Sequence, residues 1–145
     1  MTVAYVDANV ILRFLVGDPP DMAERAAVLM QAVDRGEVTL RVDEIIVAEV
    51  VWVLSSFYKY KAQEIAPRLL EFLSQDGVEV ENSILSALAL YGSKGIDFVD
   101  ALLATHMQHA GVRYVFSFDR HFDRITGLER LEPGAAGQSS LRIDS

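Results

Sequence analysis

Asp7 and Asp119 close apolar, strand-like runs (VAYVD and VRYVFSFD), Glu49 is the one charged side chain between Ile45 and Tyr58, and Asp100 opens a helical stretch. Carboxylates are the natural ligands of hard divalent cations such as magnesium and manganese. A carboxylate buried in an apolar helix, as Glu49 is expected to be, is expensive unless it is paired or binds a metal. Four carboxylates brought together without cations would repel, and some of their pKa values would rise. A divalent cation relieves that repulsion, can activate a water, and can stabilise the attacking and leaving oxygens of a phosphodiester. The chemistry these residue types suggest is metal-dependent phosphodiester hydrolysis.

Such chemistry needs a scaffold that gathers positions far apart in the chain. Val3 to Asp7 has the pattern of a first strand, and Asn9 to Val16 that of a helix stopped by Gly17 and Pro19-Pro20. Asp21 to Glu24 has capping-box spacing before an amphipathic helix that carries Ala26, Leu29, Met30 and Val33 on one face. Val38 to Val42 is a second strand. Glu44 to Tyr58 is apolar nearly all round and too long for a strand, so a buried helix is expected. Ala62 to Ser74 is helical with Pro67 in its first turns, Val78 to Val80 is a short strand, and Ser83 to Tyr91 is a helix capped by Asn82. Gly92 to Gly95 is a loop, Asp97 to Ala110 a helix ended by Gly111, and Val112 to Phe116 a strand. One helical turn is expected at Arg120 to Phe122 and an edge strand at Leu128 to Leu131. Strands alternating with helices predict an α/β fold, a mostly parallel sheet with helices on both faces. The first and penultimate strands suit the middle of that sheet. Asp7 and Asp119 then project beyond the carboxyl ends of strands, where open α/β sheets bind ligands.

Each carboxylate also has an ordinary explanation. An aspartate leading from strand to helix is a common N-cap, which suffices for Asp7 or Asp119 taken singly. Asp97 caps and Asp100 lies in the first turn, where the helix dipole favours a negative charge, and Glu49 could pair with an arginine or sit on a narrow exposed stripe. What favours a site is the conjunction: Asp7, Asp100 and Asp119 share one expected edge, Phe98, Ala101, Leu102 and Leu103 surround Asp100 with apolar groups, and Glu49 needs a partner.

Composition sets outer bounds. The chain has 145 residues, 51% hydrophobic, with no cysteine and a formal charge of -8. That is one domain, long enough to bury a core without staples, and the lack of cysteine suits a reducing cytoplasm. No signal peptide is apparent, and the longest apolar stretch falls short of the roughly 20 residues a membrane span needs. The acidic balance argues against non-specific nucleic-acid binding by bulk electrostatics. Two bound divalent cations would reduce the charge from -8 to -4, leaving local patches to decide. From Pro133 the chain is small and polar, so a domain over residues 1–132 is expected to carry a flexible tail over 133–145.

The segments VDANVILRFL, AEVVWVLSSFY, DFVDALLATHMQHAG and YVFSFDRHFDRI, in this order and spacing, resemble the PIN-domain ribonucleases, most closely the VapC-type toxins. The likeness runs from Val3 to about Leu131. The family's four acidic positions fall on Asp7, Glu49, Asp100 and Asp119, its small polar residue after the first aspartate on Asn9, and its hydroxyl residue before the last on Ser117. The resemblance implies a three-layer α/β/α fold around a parallel sheet, Mg²⁺ or Mn²⁺ as cofactor, and endonucleolytic cleavage of RNA. It also implies a homodimer, and a small antitoxin that places a basic side chain in the acidic site. On that reading Asp7, Asp100 and Asp119 coordinate metal, and Glu49 positions metal or water. Asp97 and Asp123 are second choices. Asn9 and Ser117 orient carboxylates or contact phosphate, and Arg13, Arg120, His121 and Arg124 flank the site, where they could meet RNA phosphates or be solvated surface charges.

Other readings fit less well. His106 and His109 lie near a helix C-terminus and are expected to interact with it rather than with a metal. Trp52, Phe57 and Tyr58 suit a core or a dimer surface better than a base-stacking platform. A haloacid-dehalogenase-like phosphotransferase would need a second aspartate where Asn9 stands, and a response-regulator receiver would need a late lysine, yet none follows Lys94. A non-catalytic PIN-like binding module, whose mark would be lost acidic residues, and a stand-alone housekeeping nuclease of the same fold are the remaining alternatives.

Overall fold

The computed structural model describes residues 1–134, so the expected tail lies, from residue 135, outside the described residues. Among the described residues six helices, in three consecutive pairs, alternate with strands in an α/β arrangement of five strands, and every strand pair is parallel. Strand β1 (Thr2–Tyr5) pairs with β2 (Val38–Arg41), which pairs with β3 (Val78–Glu79), while β4 (Tyr114–Phe116) pairs with β5 (Glu129–Leu131). The helices are α1 (Ala8–Val16), α2 (Pro20–Asp34), α3 (Glu44–Ser56), α4 (Ala62–Leu73), α5 (Asn82–Lys94) and α6 (Phe98–Ala110), with a 3₁₀ turn at Arg120–Arg124.

Two strands sit differently from expectation. β1 edges a three-stranded sheet and β4 belongs to a separate two-stranded one, so neither is central. Side-chain alternation shows that the three-stranded sheet is covered on one face only. Leu40, Val42 and Val78 are buried on one face, whereas Val3 is 49% and Tyr5 71% exposed on the other. Central parallel strands ordinarily bury both faces, but here β1 and β2 share one open face. Arg41 and Glu79, register partners on that open face, satisfy each other through a 2.9 Å ion pair.

The core is built from the opposite side. Ile11 and Leu12 of α1, Val47 and Val50 of α3, Ile65 and Leu69 of α4, Ile84 and Leu88 of α5 and Ala101 and Ala104 of α6 all belong to one buried cluster. Thr105 is the one buried polar residue among the described residues, and its hydroxyl is satisfied by donating to the Ala101 carbonyl at 2.9 Å.

Local departures have local causes. Helix α2 starts at Pro20 with no side-chain cap, because proline at the first helical position needs no acceptor for an N–H it lacks, so the capping reading of Asp21 does not hold. Helix α5 runs through Gly92 to Lys94 instead of stopping at Tyr91. A Cβ on Gly92 would lie 2.7 Å from the Ala66 Cβ, so this glycine permits close packing of α4 on α5 rather than breaking the helix. The turn comes at Gly95, in the left-handed region at φ 65°.

Candidate metal centre

Asp7 follows β1 and caps α1, its carboxylate accepting a 3.3 Å hydrogen bond from the Val10 N–H. Asp100 lies in the first turn of α6. Its neighbours Phe98, Ala101 and Leu102 point into the core, which holds the carboxyl at the rim of an apolar surround. Asp97 occupies the N-cap position of that helix, yet its side chain makes no capping bond. Asp119 follows β4 and heads the 3₁₀ turn, accepting from the His121 N–H at 2.9 Å. The turn is braced twice at Ser117: its hydroxyl accepts from the Asp119 N–H at 2.9 Å, and its carbonyl accepts from Arg130 at 2.9 Å.

These local bonds bring Asp100, Asp119 and His121 together, with one ligand atom from each lying within 4.8 Å of the others. The His121 Nδ1 is 3.1 Å from an Asp119 oxygen but finds no hydrogen bond of good geometry, leaving a nitrogen shut off from solvent without a partner. Burial lifts the Asp100 carboxyl above its ordinary value, the charges of Asp119 and Asp97 lift it further, and His121 pulls the other way. Burial beside like charges favours the protonated form, and a divalent cation would reverse that balance. Two carboxylates and an imbalanced imidazole fit such an ion, the nitrogen donor suiting manganese at least as well as magnesium.

The sequence-derived residues are distributed unevenly around this group. Asp100 and Asp119 are in it, Asp97 lies close enough to act on Asp100, and Asp7 and Glu49 do not join it. Glu49 is exposed, not buried. It shares the outward face of α3 with Ile45 and Trp52, which are 71% and 66% exposed. The supposed cost of burying its charge is therefore absent, and near-uniform apolarity concealed which face of α3 is open. Asp123 is held by Arg130 at 3.0 Å. Arg124 reaches the Lys94 and Gly95 carbonyls at 3.4 and 3.5 Å, and His106 lies 3.2 Å from Glu44 of α3 rather than engaging its own helix end. Arg120 is exposed and forms no ion pair among the described residues. His121 was read as a flanking charge. The signal for it was the Asp-x-His spacing at the end of β4, which becomes informative only once the 3₁₀ turn places both side chains on one side.

Residues 4–128 match the PIN domain family. The chain belongs to the PIN-domain family. This PIN domain is also similar to a VapC ribonuclease of Aquifex aeolicus (strain VF5), with 27% identity over 130 residues that span 88% of this chain and 95% of the relative. An α/β fold with parallel strands is what the likeness of the sequence to PIN domains implied, and the fold agrees.

A cavity of about 500 Å³ lies away from the acidic group, between the ends of β2 and β3 and the starts of α3 and α5. Tyr5, Arg41, Asp43, Glu79 and Glu81 line it. None of the grouped ligands does.

Proposed function

We propose that this PIN domain is a metal-dependent endoribonuclease and the toxin of a toxin-antitoxin pair. The observation that carries the reading is the Asp100, Asp119 and His121 group with its raised Asp100 carboxyl, inside a PIN domain similar to a VapC ribonuclease. Asp100 and Asp119 hold Mg²⁺ or Mn²⁺ beside His121, Asp97 is in reserve, and Asp7 and Glu49, which lie outside that group, are further carboxylates that substrate or metal binding would have to draw in. The ion supplies charge stabilisation at the scissile phosphate and lowers the pKa of a bound water. The protein's own part is positional: Ser117 fixes the backbone of the Asp119 turn, and the apolar rim at Asp100 keeps its carboxylate poorly solvated. Asn9, Arg13 and Arg120 meet the RNA. Among the described residues no helix is long and apolar enough to cross a membrane, and a chain without cysteine is suited to the cytoplasm, where its RNA lies. Induced expression in a bacterial host tests the toxin reading. Growth should stop with the wild type and continue with Asp119→Asn, and unimpaired growth with a well-expressed, folded wild type would count against it.

The outward face of α3 supports a homodimer. Ile45, Trp52 and, just past the helix, Phe57 are 71%, 66% and 72% exposed, an unusual concentration of large apolar side chains for a free surface. Trp52→Glu is expected to convert the dimer to monomer in size-exclusion chromatography with light scattering. An unchanged mass would move the interface elsewhere. A small antitoxin would bring a basic side chain to the same acidic group, quenching it by neutralising the charge the cation needs.

A further inference from the structure

Helices α1 and α2 enclose a cavity of about 480 Å³ lined by Asn9, Val10, Arg13, Met22, Arg25, Ala26 and Leu29. No acidic residue is among them, although the chain carries 21 acidic residues against 13 basic ones. Neither arginine has a carboxylate within ion-pair distance among the described residues, even though Asp21 stands one helical turn before Arg25. Arg35, Arg41 and Arg130, by contrast, each hold a glutamate. Arg13 is half-buried, and its Nε is shut off from solvent with no acceptor, while its Nη1 has only a long 3.5 Å approach to the Asp18 carbonyl. A buried donor left without an acceptor is uncommon in native proteins, and a ligand is one of the few explanations. Asn9 makes no side-chain hydrogen bond among the described residues and lies four positions before Arg13, on the same face of α1.

We propose that this cavity is a phosphate-binding subsite for the RNA strand, in which Arg13 and Arg25 take backbone phosphates and set which phosphodiester reaches the acidic group. The inference rests on the ribonuclease reading. Guanidinium groups suit phosphate oxygens because their donors match them in pairs. Two of them, from separate helices, suit a strand that repeats its charge, whereas a single carboxylate from a peptide would leave one unpaired. The apolar wall of Val10, Met22 and Leu29 offers a surface to a ribose or base, which a free inorganic anion would not use. Helix α1 connects the cavity to Asp7. Asp7 caps it, and Arg13 lies about 9 Å further along its axis, so a strand engaged at Asp7 meets Arg13 within its next nucleotides. Local charge of this kind also answers how a chain of formal charge -8 could hold a polyanion.

The test is steady-state cleavage of a single-stranded RNA by wild type, Arg25→Gln, Arg13→Gln and, as control, Arg68→Gln on α4. Arg25 is exposed, so its replacement leaves folding intact. Arg25→Gln and Arg13→Gln should each raise KM about tenfold with kcat nearly unchanged, the pattern of lost uniform binding. Each should also flatten the dependence of log KM on log salt by about 0.7, one single-strand phosphate contact. Arg68→Gln should do neither. In chelator, where nothing is cleaved, a 5′-phosphorylated RNA trinucleotide should shift the Arg13 Nε–H resonance, and a peptide ending in a carboxylate should not. Wild-type cleavage with KM and salt slope untouched in both variants would overturn the subsite and leave the nuclease standing. A resonance that answers to the peptide alone would make the cavity a peptide site and overturn it equally. Absence of cleavage by the wild type, with no response to the trinucleotide, would remove both readings together.

Discussion

Asp100→Asn should abolish RNA cleavage, by about two to three orders of magnitude or more if it behaves like the loss of one preorganised charge-stabilising group, while leaving the metal-free protein as stable as the wild type or more so. The two effects have one origin. Asp100 is lifted by burial first and by the charges of Asp119 and Asp97 next, so its ionised form is disfavoured in the folded protein and an amide of the same shape removes that disadvantage. Its position in the first turn of α6 asks only for a polar group, which asparagine supplies. Thermal denaturation in chelator, run beside a cleavage assay in Mn²⁺, separates the possibilities. A variant that loses activity by melting many degrees earlier would show Asp100 to be a structural residue. Asp7→Asn is a useful companion, because asparagine replaces aspartate as an N-cap with little loss, so any loss of cleavage there belongs to the site and not to α1.

A divalent cation should raise the melting temperature of the wild type, and the gain should vanish in Asp100→Asn. At a hundredfold excess over its dissociation constant, one bound ion stabilises the folded state by about 2.7 kcal/mol. In a domain of this size that is on the order of 5–10 °C. The pH dependence follows from the direction of the Asp100 shift. A carboxyl whose pKa is raised on folding holds its proton more tightly folded than unfolded, so without metal its contribution falls as pH rises from the ordinary aspartate range through the raised value, and is fully present below that range. With metal the direction reverses over the same window, since the ion competes with that proton. Differential scanning fluorimetry across mildly acid to neutral pH, with Mn²⁺ and with chelator, should therefore give curves that diverge upward in pH. Parallel curves would mean that the ion does not bind at Asp100.

Much of this was legible in the sequence, and the parts that were not failed for identifiable reasons. Asp100 could be read because its neighbours at Phe98, Ala101 and Leu102 are all core residues, which left the carboxylate conspicuous at a helix start. The strands before Asp7 and Asp119 were visible as short apolar runs, but their place in the sheet was not, because apolar alternation does not say which edge a strand takes. Helix α3 misled in the opposite way. Its outward residues Ile45 and Trp52 are as apolar as its buried Val47 and Val50, so the charge of Glu49 was the only sign of the exposed stripe on which it lies. Gly92 reads as a helix end because glycine breaks helices more often than it packs them, and only the nearness of Ala66 shows the other use. His121 depended on a turn too short to have a period. The pairing of two cavity arginines from different helices has no sequence signature at all, since Arg13 and Arg25 are brought together by packing of α1 on α2.

The central claim is that this PIN domain cuts RNA only when a cation occupies its acidic group. Purified protein should be incubated with labelled structured and unstructured RNAs in Mg²⁺, Mn²⁺ or chelator, with Asp119→Asn prepared identically. The predicted result is internal cleavage of at least one RNA by the wild type in Mn²⁺ or Mg²⁺, none in chelator and none by the variant. Cleavage that persists in chelator or in Asp119→Asn would contradict it. So would intact RNA in every condition together with calorimetry that finds no metal binding, and the protein would then be understood as a PIN-like binding module.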